Sequence, residues 1–452
     1  MLLCAQYVVP VSSEPIENGA VLIRNNEIAD IGKADMMRLR YPEEETKDFG
    51  MAALTPGFID LHACIEDSVF RGLVGDQPYA LWMKEISNLR SRITKKETFD
   101  SAFLGGLEEL SSGVTTVADI TTTGASVSAA QQLGLRGVFY REAAAIDKRL
   151  VNYAIKKADS DLEKWTQLVD TNRITLGVAP APVFQCHPLL YKHLSEYATE
   201  NGDLPIAVLL AGSREEYRFV KYGAAVGRDD RFDVQGFMEI PPWLPTAVTP
   251  VNYVLNWGLF DAKNVMSIYS VYVNDEDIQK MKEHDVSVAV CPSLNAQLGM
   301  GVAPVNEYLR AGMRVGLGTG APGSLDSVDL FTEMRVEMLI QRAQNVNEFM
   351  DYKTLLEMGT IRAAEALRLD HKIGSLEVGK MADVVAVDLS GSHQTPTNDP
   401  VPALLSSANN GDIMMTMVDG KVLYERGQWH VEGEVAKNIA HVLEIRGRLR
   451  QQ

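Results

Sequence analysis

The stretch "PGFIDLHAC", residues 56 to 64, sets His62 and Cys64 two residues apart at the end of an apolar run. On a β-strand, side chains two apart point to the same face, so an imidazole and a thiol would stand together. Two chemistries follow. The imidazole can help form a nucleophilic thiolate at Cys64, or both groups can bind a soft metal ion. Glu66 and Asp67 come directly after them, and carboxylates in a loop beyond a strand face either a ligand or water.

Such groups need a scaffold to position them. From about residue 55 to 370, short apolar runs alternate with helical stretches. "TTVADI", "RGVFYREA", "ITLGVAP", "PIAVLLAG", "VMSIYSVYV", "VSVAVCP" and "RVGLGTG" read as strands, and "KETFDSAFLGGLEELSSG" and "DEDIQKMKEHD" as intervening helices. Together with the run before His62, this predicts an α/β fold, a (β/α)8 barrel over residues 55–374. In such a barrel chemistry gathers at the C-terminal strand ends, which makes residues 62–64, 186, 209–213, 269, 291 and 320 candidates. His187 lies beside them. At the N-terminus "GAVLIRNNEIADIG" reads as a hairpin around Asn25 and Asn26, and near the end "ADVVAVDL" and "IMMTMVDGKVLYERGQW" read as strands with an Asp-Gly turn. Residues 1–54 and 375–430 are therefore expected to form one small β-sandwich domain. Residues 431–452 predict an amphipathic helix with Val435, Ile439, Val442 and Leu449 on one face.

Composition narrows the function classes. The 452 residues are 46% hydrophobic and 23% charged, which is ordinary for a globular chain. A formal net charge of −17, without a basic stripe, argues against nucleic acid as a partner. The four cysteines, at 4, 64, 186 and 291, form no close pairs, which suits a reducing compartment. The first residues lack a signal-peptide pattern, and no apolar run reaches the roughly 18 residues a membrane span needs. A cytoplasmic protein with no membrane contact is expected.

Taken together, "PGFIDLHAC", "SSGVTTVAD", "NDEDIQKMKEHDVSVAVCPSLNAQLGMGVAPV", "AGMRVGLGT" and "AAEALRLDHKIGSLEVGKMADVVAVD" resemble the amidohydrolase superfamily over nearly the whole chain. The branch most similar is that of S-adenosylhomocysteine/methylthioadenosine deaminases, guanine deaminase-like enzymes and triazine hydrolases. The resemblance implies hydrolysis of a C–N bond in a heterocyclic amine, with Zn²⁺ or Fe²⁺ activating a water and a Glu shuttling protons. It also implies a ligand set: two His on the first strand, a His on the fifth with the Glu three residues later, a His on the sixth and an Asp on the eighth. At those positions this chain has His62 and Cys64, then Leu209 and Gly212, then Tyr269, then Gly320. Ala181 stands where the fourth strand often carries His, and Val290 on the seventh strand departs as well. Leu and Gly offer no lone pair, so His62 alone remains of the set and no metal or other cofactor is expected.

Three functional classes stay open: a non-catalytic barrel that binds a small heterocycle-like ligand or a protein partner, an enzyme with metal-independent or relocated chemistry, and a hydrolase with unfamiliar metal ligands. The candidate catalytic groups are His62, Cys64 and Tyr269. The candidate ligand-binding set is Glu66, Asp67, Trp82, Leu209, Gly212, Tyr269, Cys291, Asn295 and Gly320. The resemblance makes Cys186 and Cys291 pocket lining and puts Asn295 and Gln297 near the cleft. Asp119 is expected to brace a strand end, and the remaining histidines to be ordinary surface groups. Tyr79 and Trp82, in the loop after the first strand, offer aromatic stacking to a flat ligand. The apolar, Pro-rich stretch 236–245 predicts a lid or an oligomer contact. A second copy of the chain or an active relative is the expected protein partner.

Overall fold

The computed structural model describes residues 1–223, 243–323, 328–345 and 347–451. Eight parallel strands form its centre: β1 (Phe58–Asp60), β2 (Val114–Thr121), β3 (Arg136–Ala143), β4 (Ile174–Pro180), β5 (Ile206–Leu210), β6 (Val265–Tyr269), β7 (Ser287–Val290) and β8 (Val315–Leu317). Each pairs with the next in chain order, so the sheet runs from β1 to β8 without a crossover. The ends meet where Leu61 N donates to Leu317 O at 2.9 Å, which nearly closes the barrel. Strands buried on both faces read as continuous apolar runs, and that is why the pattern was visible in the sequence.

The helices between the strands are started by local signals. Thr94 caps the Lys95–Ser111 helix through a capping box with Glu97, and Asn274 caps Asp275–Glu283 in the same way with Asp277. The final helix, Val435–Arg450, packs on Lys95–Ser111 with Val442, Ile445 and Leu449 buried and Val435 and Ile439 half-buried. No helix among the described residues is long and apolar enough to cross a membrane.

Both termini contribute to a second layer. Its nine strands are joined in one mixed sheet, where the sequence had suggested a sandwich, and the two halves meet as Ala52–Pro56 pairs antiparallel with Val384–Asp388. The Ala52–Pro56 strand belongs to this sheet, so the barrel begins at Phe58. Asp419 and Gly420 turn the hairpin Ile413–Val418/Lys421–Glu425 with φ of 54° and 75°, as a two-residue Asp-Gly turn requires. One buried ion pair ties the layers together. Arg136, at the start of β3, reaches Asp383 with Nε at 2.7 Å and Nη2 at 3.1 Å, and Asp419 at 3.3 Å.

Of the stretch 236–245, residues 236–242 lie outside the described residues. Trp243 is buried, its ring edge-on to Phe219 at 5.6 Å between centroids.

Candidate functional site

The strand ends surround a cavity of about 300 Å³. His62 enters it from just beyond β1, held by its backbone: Asp60 Oδ1 accepts from His62 N at 2.8 Å and from Thr319 N at 3.1 Å, which clamps the end of β1 to the end of β8. Gly318 allows this approach, because a Cβ there would stand 2.7 Å from His62 N. The His62 imidazole meets the Tyr269 hydroxyl with Nε2 at 3.1 Å, the two rings edge-to-face. Cys64 Sγ lies 3.5 Å from the same nitrogen.

Electrostatics leave this cluster uncharged. Burial, and secondarily the Arg90 charge, lower the His62 pKa to about 4. Burial first, then Asp119 and Asp67, push the Cys64 thiol well above its ordinary value, and burial does the same to the Tyr269 phenol. A neutral imidazole therefore faces a neutral thiol at pH 7. Cys64 and Tyr269 both take left-handed backbone angles, φ 48° and 76°, a region that costs a non-glycine residue on the order of 1–3 kcal/mol and clusters at ligand sites.

Carboxylates and aromatic rings form the outer wall. Glu66 Oε1 accepts from the Thr121 and Thr123 hydroxyls at 2.5 and 2.9 Å and from Ser126 N at 3.2 Å. Asp67, 2% exposed, takes both Nε and Nη2 of Arg90 at 2.9 and 2.5 Å. Arg90 ends the helix Tyr79–Arg90, which lies across the mouth and brings Tyr79 and Trp82 to the wall with near-parallel rings 6.4 Å apart. Glu142, near the end of β3, Gln185, Ser87, Thr98 and Thr122 add to the polar lining.

Of the residues expected from the sequence, His62, Cys64, Glu66, Asp67, Tyr79, Trp82, Leu209 and Tyr269 line this one cavity. Gly212, Cys291, Asn295 and Gly320 stand outside its lining. Gly212 sits behind the Tyr269 ring, since a Cβ there would be 2.8 Å from Tyr269 Cδ2, and Gly320 sits behind Leu294. Cys291 and Asn295 are buried in the turn that starts the Pro292–Gln297 helix. Cys186 is likewise buried and donates its S–H to Ala181 O at 2.9 Å, and His187 Nδ1 accepts from Leu189 N at 3.1 Å. Asp119 braces the strand end as expected, with Oδ2 accepting from Ile65 N at 3.1 Å. Sequence reasoning missed Arg90 and Glu142. A signal for Glu142 existed, because it shares the period-2 face of β3 with Tyr140, which points into the barrel core.

Comparison with known proteins decides the ancestry. The family model described as "Amidohydrolase family" matches residues 53–423. The chain belongs to the amidohydrolase family. This amidohydrolase-family chain is 29% identical over 429 residues to a 5-methylthioadenosine/S-adenosylhomocysteine deaminase of Thermococcus onnurineus, covering 92% of each chain. It is 30% identical to the protein of the same name in Caldanaerobacter subterraneus subsp. tengcongensis, covering 82% of this chain and 81% of that one. Among solved structures, an adenosine deaminase from Xanthomonas campestris with bound zinc superposes with a TM-score of 0.86 at 22% identity, covering 100% of this chain and 98% of that one. Atrazine chlorohydrolase from Arthrobacter aurescens, complexed with zinc, superposes at 0.84 with 20% identity, covering 98% of this chain and 99% of that one. These two likenesses concern the fold.

Proposed function

We propose that this amidohydrolase-family chain binds a small heterocycle-like molecule in the barrel mouth and does not carry out metal-dependent C–N hydrolysis. The observation that carries the reading is the filling of the strand ends. A hydrolytic metal needs about three protein ligands and an open position. Here His62 Nε2 is engaged by the Tyr269 hydroxyl, and Leu209 and Gly320 provide no donor atom. Among the described residues, no group of three or more His, Cys, Asp or Glu side chains is placed to hold a metal ion. The space for lost groups is also occupied. A Cβ on Gly212 would press on the Tyr269 ring at 2.8 Å, and a Cβ on Gly320 would lie 2.7 Å from Leu294 Cδ1, so neither a Glu nor an Asp enters unless those neighbours move. Zn²⁺ and Fe²⁺ do not fit this donor set.

The curated relatives are named as deaminases of 5-methylthioadenosine and S-adenosylhomocysteine, which makes adenine nucleosides the first ligands to try. Calorimetric titration with 5-methylthioadenosine, S-adenosylhomocysteine and adenosine is expected to show binding of at least one of them, with ammonia staying at the buffer level during long incubation. Ammonia released in proportion to enzyme and time would refute the proposal.

A second reading rests on the 3.5 Å approach of Cys64 Sγ to His62 Nε2, which is the geometry of a thiol nucleophile with a base beside it. The direction of both pKa shifts opposes it, since burial favours the neutral form of each group. Alkylation of Cys64 near pH 7 is therefore expected to be slow and indifferent to His62→Ala. Rapid, stoichiometric labelling abolished by His62→Ala would put the thiol enzyme first.

A further inference from the structure

The cavity wall is unbalanced in charge. Among the described residues, Glu66, Asp67 and Glu142 line it against one cation, Arg90, whose Nε and Nη2 are spent on Asp67. Glu66 is anchored through Oε1 by Thr121, Thr123 and Ser126, but among the described residues no hydrogen-bond donor reaches the Glu142 carboxylate. Burial raises the Glu142 pKa, with the Arg90 and Arg141 charges opposing the rise from a distance, and an incoming positive charge paired directly to the carboxylate relieves that cost.

An independent observation also points to a ligand. Trp82 is 3% exposed and lines the same cavity, yet its indole N–H finds no acceptor among the described residues. Buried indole N–H groups are ordinarily satisfied. The wall thus offers an unused donor on Trp82, an unused acceptor on Glu142, and the ring faces of Tyr79 and Trp82. A volume of about 300 Å³ is at the small end of ligand sites.

We infer that the cavity recognises a small organic cation, an ammonium or amidinium carried on a flat ring with an acceptor atom, with Glu142 pairing to the charge and Trp82 donating to the ring. Aromatic faces and carboxylates together are a recurrent way to hold such cations. This rests on reading the cavity as a binding site and adds the ligand's charge.

The test uses the full chain and three matched probes: pyridine-4-carboxamidine as the cation, isonicotinamide as its neutral counterpart and isonicotinate as the anion. By calorimetry the amidine is expected to bind about tenfold tighter than the amide, the size of one charge-assisted hydrogen bond, with the anion weakest. Glu142→Gln should abolish that preference. Added salt should weaken amidine binding to the wild type and spare the amide, a readout that does not depend on the variant folding. Equal affinity for amidine and amide, or a preference that survives in Glu142→Gln, would overturn the assignment. If the amide or adenosine still binds in that case, only the charge assignment falls. If none of the probes and no adenine nucleoside binds, the binding reading falls with it.

Discussion

Arg136→Ala is expected to lower the free energy of unfolding by about 3–5 kcal/mol, the usual cost of leaving a buried charge without its partner. Arg136 and Asp383 are each 3% exposed, and their two-pronged contact joins β3 of the barrel to the sheet built from both termini. Removing the guanidinium strands the Asp383 carboxylate with the Asp419 N–H, at 2.8 Å, as its remaining donor there. The double variant Arg136→Met/Asp383→Leu should be less destabilised than Arg136→Ala, because the charge left behind, on Asp419, is partly exposed and no buried charge remains unpaired. Denaturant unfolding of the three proteins checks this, and a loss under about 1 kcal/mol for Arg136→Ala, typical of a surface pair, would show that the contact is not holding the layers together.

The second large effect is a dependence of stability on pH. Glu333 and Glu337 lie one turn apart on the buried side of the Leu330–Gln344 helix, each 2% exposed, and burial raises both pKa values to about 8. In the unfolded chain a glutamate titrates near 4.5. Below that pH both states hold the proton and there is no penalty. Between 4.5 and about 8 only the folded state keeps it, so stability falls as pH rises; above about 8 the full cost is present. For Glu337 that cost is on the order of 4–5 kcal/mol. Glu337→Gln, which cannot ionise, should match the wild type near pH 5 and exceed it in unfolding free energy at pH 9. Equal stability of the two proteins at pH 9 would contradict burial as the cause.

The barrel was legible because its strands are short apolar runs separated by helices with their own caps. The runs 136–143 and 174–180 coincide with the observed strands. The runs at 205–212 and 314–320 extended past the observed ends, because apolar and small residues continue into the loops that carry the site. His62, Cys64, Leu209 and Tyr269 could be brought together from sequence, since the strand order of a barrel fixes where its ends converge. Arg90 could not. It comes from a helix across the mouth, 23 residues after its partner Asp67, and no period links the two. Gly212 and Gly320 were placed at the site by position alone, whereas side-chain packing decides what reaches the cavity, and Tyr269 and Leu294 fill the space in front of them.

The central claim is that the barrel mouth binds its ligand without a resident hydrolytic metal. It is tested most directly by elemental analysis of the full chain, produced with Zn²⁺, Fe²⁺ and Mn²⁺ in the medium and then dialysed, alongside His62→Ala. The account predicts metal far below one ion per chain in both proteins, because two of the strand ends offer no donor and His62 is held by Tyr269. About one ion per chain in the wild type, lost in His62→Ala, would contradict it and restore the family's hydrolytic chemistry to this chain.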